Sequence, residues 1–330
     1  AASLSELGEK RLIRELIRPL FNPKGDAWGV GDDCSELELP PNHRVVLSTD
    51  RVPADLIAFR EGVIDYRGLG RYLAVLNLSD LAAHGAEAKG LLLTLGLPAS
   101  LKVGDFDGLL RGVKETCDAY GVPVLGGDLS SSSEPSLAAT AVGSVPEGKG
   151  LLRSGLRPGD LLYTSKPPGL TPSAFWWLLE LGRSPALGAT SEAELLSVFR
   201  SPTPELTLGR LLRESGLCTA CQDNTDGLGQ TLWELAEASG CAIEVECPEV
   251  PMVACQLAAE AGRSQMDLIL EPGADFALVF GGQAALGNLF PGSAQLIGRA
   301  VEGRGLTWQG KPLEPRGWSY YDATAGTSLT

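Results

Sequence analysis

Histidine is scarce in this chain, with only His43 and His84 among 330 residues. Catalysis by a serine or cysteine nucleophile usually needs a histidine base. His43 lies in a polar turn after two prolines, and His84 follows Asp80 by four residues, which would put both on one helical face. The sequence therefore argues against a catalytic triad.

Basic residues are also few: 27 lysines and arginines stand against 41 aspartates and glutamates, a net charge of -14. A nucleic-acid-binding protein would normally show a basic face. No apolar run approaches the roughly 20 residues of a membrane span, and the first residues lack the basic-then-apolar pattern of a signal peptide. We expect a soluble cytoplasmic protein that binds neither nucleic acid nor membranes.

The cysteine content does not favour disulfide bonds. The count of seven is odd, and a chain of this size does not need disulfides, so reduced thiols are expected. Cys218 and Cys221 have the spacing of half a zinc site, but no second Cys-x-x-Cys or histidine pair answers them. The sequence assigns them no role.

The common phosphate-binding loops are absent too. There is no Gly-x-x-x-x-Gly-Lys-Ser/Thr segment, and Gly29-x-Gly31 lacks a third glycine because position 34 is a cysteine. P-loop and Rossmann interpretations are therefore not favoured.

Aspartates in small-residue turns are what the chain does contain, in five contexts: Gly31-Asp32-Asp33, Ser48-Thr49-Asp50, Asn77-Leu78-Ser79-Asp80, Gly126-Gly127-Asp128 and Asp223-Asn224-Thr225-Asp226-Gly227. Any one of them is explained by the preference of Asp and Gly for turns. Five together favour Mg²⁺, which takes carboxylate and phosphate oxygens and keeps several waters. Clustered carboxylates would need such cations, because like charges raise each other's pKa. We expect a polyphosphate site.

The order of strands and helices predicts an α+β protein of two layered domains. A chain of 330 residues exceeds the size at which single cores usually stop growing, about 250–300 residues. The Pro- and Gly-rich stretch 146–159 separates the predicted domains, residues 1–148 and 149–330. The first would carry most of the acidic turns, and the second would complete the phosphate and substrate site.

Phosphoryl transfer suits this composition. Its transition state is reached mainly by alignment and charge neutralisation, so metal-binding carboxylates and an arginine can suffice. Arg153 is a candidate for the cation that contacts phosphate, although by residue type alone it could equally be a solvated linker arginine.

The ordered motifs resemble the thiamine-monophosphate kinase family, of the superfamily that includes aminoimidazole ribonucleotide synthetase. The resemblance runs through the five aspartate contexts, Arg153-Ser154-Gly155 and Gly317-Trp318, and its most specific element is residues 77–86. It implies a homodimer formed through the N-terminal halves, with ATP bound near that interface. It also implies transfer of the γ-phosphate of ATP to a small-molecule phosphate acceptor with the help of several Mg²⁺ ions.

The resemblance implies a role for each matching position. Asp50, Asp128 and Asp226 would be catalytic. The implied metal ligands are Asp33, Ser48, Thr49, Asp50, Asp80, Asp128, Asp223 and Asp226. The implied nucleotide contacts are Tyr120, Gly127, Asp128, Arg153 and Thr225.

The substrate positions depart from the family pattern. Ile57 stands where the family has a histidine, and Ala274 stands where it has a glutamate, whereas Trp318 keeps an aromatic ring that could stack on a planar ligand. Loss of charged hydrogen bonds typically costs about 1.5–3 kcal/mol each. The resemblance therefore implies a working Mg-ATP site that phosphorylates thiamine monophosphate to thiamine diphosphate, with an altered acceptor as the open question at these positions.

Two alternatives stay open. One is ligase chemistry of the same superfamily, in which ATP activates an amide or carbonyl oxygen of another small molecule. The other is a catalytically silent nucleotide-binding sensor. The sequence cannot name the acceptor.

Overall fold

Two compact units make up the protein in the computed structural model, which describes residues 2–25, 29–30, 32–290, 292, 294–314 and 317. Unit 1 comprises Ala1–Leu81, Ala86–Lys149 and Phe199–Leu206, and unit 2 comprises Ala82–Gly85, Gly150–Val198 and Thr207–Thr330. Helices and a mixed sheet occur in both, which confirms the predicted α+β class.

The elements up to residue 149 alternate between helices and strands. In chain order they are α1 (Leu4–Leu7), α2 (Glu9–Leu12), a π-helical turn (Ile13–Ile17), α3 (Arg18–Phe21), β1 (His43–Arg51), α4 (Ile57–Arg60), α5 (Tyr66–Ala83), β2 (Glu87–Leu97), α6 (Val103–Tyr120), β3 (Val124–Ser131) and β4 (Ser136–Pro146).

The remaining elements follow a similar alternation. They are β5 (Leu161–Thr164), α7 (Leu170–Phe175), a π-helical turn (Trp176–Glu180), α8 (Ala189–Arg200), α9 (Leu206–Ser215), β6 (Cys218–Asp223), α10 (Leu228–Ser239), β7 (Ala242–Val245), α11 (Met252–Glu260), α12 (Asp267–Leu270), β8 (Leu278–Gly282), a 3-10 helix (Ala284–Leu289), β9 (Gln295–Val301), β10 (Gly305–Trp308) and β11 (Lys311–Leu313).

The sheet of unit 1 has the strand order β1-β4-β2-β3, with only β2 and β3 parallel. Its core is aliphatic: Leu73 and Leu78 of α5, Leu109 of α6 and Leu91 of β2 are completely buried. Each fully buried leucine contributes roughly 1.5–3 kcal/mol by leaving water. This packing holds α5 in place, and α5 carries Asn77 and Asp80.

The sheet of unit 2 has the order β11-β10-β7-β9-β5-β8-β6, in which only β10 and β7 pair in parallel. Leu232 and Leu235 of α10 pack with Ile243, Val279 and Ile297 of the sheet in one hydrophobic core. Strand β6 ends at Asp223 and α10 begins at Leu228, so the core fixes both ends of the acidic segment 223–227.

The first helix differs from its prediction. Periodicity predicts one amphipathic helix from about Ser3 to Leu20, but α1 ends at Leu7 and is followed by Gly8, whose positive φ of 77° is accessible to glycine at little cost. The helical path resumes at Glu9 and ends at Phe21. Within the described part of the chain, no helix is both long and apolar enough to cross a membrane.

Candidate functional site

Strand β1 and helix α5 bring four polar residues of unit 1 together. The backbone nitrogen of Asp50 donates to the side-chain oxygen of Asn77 at 3.0 Å, and Ser48 Oγ donates to Asp80 Oδ2. Ser48 and Asp50 lie two apart on the strand and so share one face, while Asn77 and Asp80 are three apart on the helix. The arrangement offers a hydroxyl and carboxylates as oxygen donors.

Thr49 lies on the opposite face of β1. Its hydroxyl donates to the carbonyl of Ala139 at 2.9 Å and accepts from Thr140 at 3.2 Å. Neighbouring residues of a strand point to opposite faces, so the Thr49 side chain faces away from Ser48 and Asp50. The structure thus groups Ser48, Asp50 and Asp80 but does not bring the Thr49 hydroxyl to them.

Asp128 lines a cavity of about 200 Å³ in unit 1 together with Asp32 and Gly127. A Cβ at position 127 would lie 1.9 Å from the carbonyl oxygen of Leu93, so only glycine lets β3 approach β2 this closely. Asp32 and the predicted ligand Asp33 are both exposed, and of the two Asp32 lines the cavity. The sequence analysis names Asp32 as part of an acidic turn but assigns the ligand role to Asp33, because that is the position that matches the family pattern.

Two further predicted positions lie in unit 1. Tyr120 is the last residue of α6, and burial, helped by the charge of Glu205, raises the pKa of its phenol, so the hydroxyl stays protonated. Ile57 begins α4 and is only 9% exposed. Ile57 therefore packs mainly into the protein and offers a ligand little apolar surface.

In unit 2, the acidic segment 223–227 connects β6 to α10. Asp223 is buried at the strand end, and Thr225 and Asp226 are half-buried. Gly227 precedes α10 with a φ of 110°, and a Cβ there would lie 2.8 Å from the carbonyl oxygen of Glu271. The segment therefore turns sharply between two fixed elements.

Arg153 and Glu234 form an ion pair beside Asp226. Arg153 Nη1 lies 3.1 Å from Glu234 Oε2, and Gln222 and Gln230 also donate to this carboxylate. Burial raises the pKa of Asp226, the charge of Glu234 adds to the rise, and Arg153 opposes it. Glu234 is a residue that sequence reasoning missed, because its only signal is its place on a helix that follows an acidic turn.

The acceptor positions of unit 2 are partly described. Ala274 is half-buried, and its carbonyl accepts a hydrogen bond from Thr171 Oγ1 at 3.1 Å. Trp318 lies outside the described residues.

At Cys218 and Cys221, burial raises the pKa of the Cys218 thiol to about 12 and raises that of the Cys221 thiol well above its ordinary value. Both thiols therefore stay protonated and unreactive.

The oxygen donors of these residues fit a hard cation whose coordination shell is completed by oxygens of a bound phosphate. Among the described residues, no three His, Cys, Asp or Glu side chains stand close enough to hold a metal by themselves. Mg²⁺ is usually bound by one or two carboxylates together with phosphate oxygens and waters. Oxygen donors such as Ser48 with Asp80 suit that chemistry and do not suit a zinc site.

Comparisons with known proteins identify the class of protein to which the chain belongs. The family model of the AIR synthase related protein N-terminal domain matches residues 31–145, and that of its C-terminal domain matches residues 157–311. Together with two α+β units, these matches place the chain in the AIR synthase related family.

Individual relatives identify the family within this group of proteins. A thiamine-monophosphate kinase of Synechococcus elongatus is 31% identical over 316 residues, which cover 91% of this chain and 90% of the relative. The solved thiamine-monophosphate kinase of Stenotrophomonas maltophilia K279a aligns with a TM-score of 0.79 at 26% identity, covering 92% of this chain and 96% of that one. AaThiL complexed with AMPPCP and TMP aligns with a TM-score of 0.75 at 27% identity, over 97% of this chain and 99% of that one. The chain belongs to the thiamine-monophosphate kinase family.

Proposed function

We propose that the protein is an Mg²⁺-dependent kinase that transfers the γ-phosphate of ATP to a phosphorylated small molecule, with thiamine monophosphate as the first acceptor to test. The ordered acidic motifs support this proposal most strongly, because family membership gives each a matching position. Relatives are named thiamine-monophosphate kinases, and one neighbour was solved with AMPPCP and TMP.

Each proposed role follows from the chemistry of the residue. Asp33, Ser48, Asp50, Asp80, Asp128, Asp223 and Asp226 would hold Mg²⁺, which when bound neutralises phosphate charge. Thr49, whose hydroxyl bonds to Ala139 on the other face of β1, is not proposed as a side-chain ligand. Tyr120, Gly127, Asp128, Arg153 and Thr225 would contact the nucleotide. The Arg153 guanidinium adds a fixed positive charge, and Glu234 orients it in the absence of phosphate.

The acceptor side is where this chain differs. A buried isoleucine and an alanine replace two polar groups at positions 57 and 274. Neither can donate or accept a side-chain hydrogen bond, so binding of thiamine monophosphate should be weak or should give way to another phosphorylated acceptor.

A homodimer is the second part of the proposal. Strand β1 is at the edge of the unit 1 sheet, and Val45 and Leu47 on it are 54% and 66% exposed. An exposed apolar edge strand is a surface that proteins normally cover. A second copy of the chain covering this face would remove it from water.

The proposed use of ATP and the free cysteines favour a cytoplasmic location.

The deciding experiment measures ADP release by the purified full chain with Mg-ATP, with and without thiamine monophosphate. The proposal predicts ADP release that depends on both Mg²⁺ and a phosphorylated acceptor. Tight ATP binding without ADP release, across a panel of phosphorylated and unphosphorylated metabolites, would contradict a kinase and fit the sensor alternative.

A further inference from the structure

The side-chain amide of Asn224 joins two segments of unit 2 that are about fifty residues apart. Its nitrogen donates to Asp275 Oδ1 at 3.0 Å. Its oxygen accepts from the backbone nitrogen of Gly227 at 3.1 Å and from Thr231 Oγ1 at 3.3 Å. The Gly227 donor fixes which end of the amide is the oxygen, so the nitrogen must face Asp275.

Backbone hydrogen bonds reinforce this connection. Asn224 N donates to the carbonyl of Ala277 at 2.8 Å, and Phe276 N donates to the carbonyl of Asn224 at 3.1 Å. Phe276 has a φ of 55°, an uncommon conformation for a bulky residue, and its side chain is completely buried. Such a conformation persists only where the surroundings enforce it, and it occurs most often near functional sites.

The segment 274–276 is also held from its other side. Lys166 Nζ donates to the carbonyls of Asp275 and Phe276 at 2.9 and 3.2 Å, and Thr171 Oγ1 donates to that of Ala274. Asp275 Oδ1 additionally accepts from Ala277 N at 2.9 Å. Three successive carbonyls are therefore bonded by side chains, which leaves this segment little freedom to move.

We propose that Asn224 and Asp275 are positioning residues that fix the acidic segment 223–227 against the segment that carries Ala274. The inference rests on the proposed function, because Asp223 and Asp226 are the proposed metal ligands and position 274 is the proposed acceptor contact. Asn224 lies between the two aspartates in sequence, so its side-chain bonds hold the backbone from which both carboxylates project. Neither Asn224 nor Asp275 needs to touch a ligand.

The test puts a second negative charge into the bond and then removes one of the two. Asn224→Asp places two carboxylates in contact and should weaken binding by repulsion. Adding Asp275→Asn relieves this repulsion, and the amide oxygen of the new side chain can still accept from Ala277 N. The readout is Mn²⁺-dependent binding of an unhydrolysable ATP analogue to the full chain, measured together with the melting temperature.

We expect N224D to weaken this binding by roughly tenfold to a hundredfold, the loss of one charged hydrogen bond, and N224D/D275N to regain part of it because two like charges no longer face each other. Thr219→Val is the control: it removes bonds to Asp160 and Gly281 in the same unit and should lower the melting temperature without changing affinity.

Three results would contradict the proposal. Unchanged affinity in N224D would show that the bond does not position the segment. A double variant that regains its melting temperature but not its affinity would show that the bond is only structural. Absence of Mn²⁺-dependent binding in the wild-type chain would overturn the proposed function itself, and the positioning role with it.

Discussion

Asn77 bonds to the backbone of Asp50 in both directions, accepting from its nitrogen at 3.0 Å and donating to its carbonyl at 3.4 Å. The same amide nitrogen donates to the carbonyl of Leu73 at 2.9 Å, and the side chain is completely buried. A strand residue proposed to bind metal is thereby tied to the helix that carries Asp80.

Removing this amide should destabilise the protein. Asn77→Ala leaves the backbone nitrogen of Asp50 without its side-chain acceptor, and an unsatisfied buried polar group costs about 1–3 kcal/mol. Urea denaturation should show a loss of that size. The half-buried Ser197→Ala, which loses one local bond to the carbonyl of Glu194, should change stability less. Equal stability of the two variants would mean that the Asn77 bonds contribute nothing.

Charge removal at the acidic segments should abolish metal-dependent nucleotide binding from either unit. We expect Asp50→Asn and Asp226→Asn each to lose Mg²⁺-dependent binding of an unhydrolysable ATP analogue, because each removes a carboxylate from the proposed ligand set. Calorimetric titration with Mg²⁺ and with a chelator measures this. Glu214→Gln, which removes an exposed carboxylate of α9, is the control and should bind normally.

Acid should destabilise unit 2 through His84. Burial lowers the pKa of this half-buried imidazole, so the folded state binds the proton less readily than the unfolded state. The contribution of neutral His84 to the free energy of unfolding is complete above the ordinary histidine pKa of about 6.5. It is lost as the pH falls through the lowered pKa of the folded state. In thermal unfolding from pH 8 to pH 5, His84→Gln should flatten the acid-side decline. Parallel curves for the two proteins would exclude this role.

Restoring a carboxylate at position 274 should improve use of thiamine monophosphate. Ala274→Glu replaces a methyl group with a charged acceptor, and one charged hydrogen bond is worth about 1.5–3 kcal/mol, or roughly a tenfold to hundredfold lower KM. The exposed Ala284→Glu controls for added charge. A KM that does not fall would place the acceptor elsewhere.

Charge on the edge strand should dissociate the proposed homodimer. Leu47→Arg puts a guanidinium on the apolar face of β1, where a second copy would have to bury it. Sedimentation should then give the monomer mass, whereas Met252→Arg, at an 87% exposed residue of unit 2, should stay dimeric. A wild-type chain that sediments as a monomer would contradict the dimer itself.

The sequence predicts the local elements of the site better than their contacts. Strand β1 and helix α5 follow from apolar periodicity. The grouping of Thr49 with Ser48 and Asp50 as ligands does not hold for its hydroxyl, because neighbouring side chains of a strand face opposite sides. Glu234 could not be assigned, because its role depends on Arg153, 81 residues away. Local propensity carries no information about such distant pairs.

The same limit applies to the second half of the chain. The apolar run 276–280 predicts a strand from Phe276, but β8 begins at Leu278 because Phe276 takes a left-handed conformation in which its backbone nitrogen bonds to Asn224. A tertiary interaction thus overrides the local propensity of the first residues of the run.

Phosphoryl transfer itself is the most direct measurement. The full chain is incubated with γ-³²P-labelled ATP and thiamine monophosphate, with Mg²⁺ or with a chelator, and the products are separated. The account predicts labelled thiamine diphosphate only with Mg²⁺, at a rate that Ala274→Glu increases. No labelled product from thiamine monophosphate or from any other phosphorylated acceptor, in a protein that is folded and binds Mg-ATP, would contradict it.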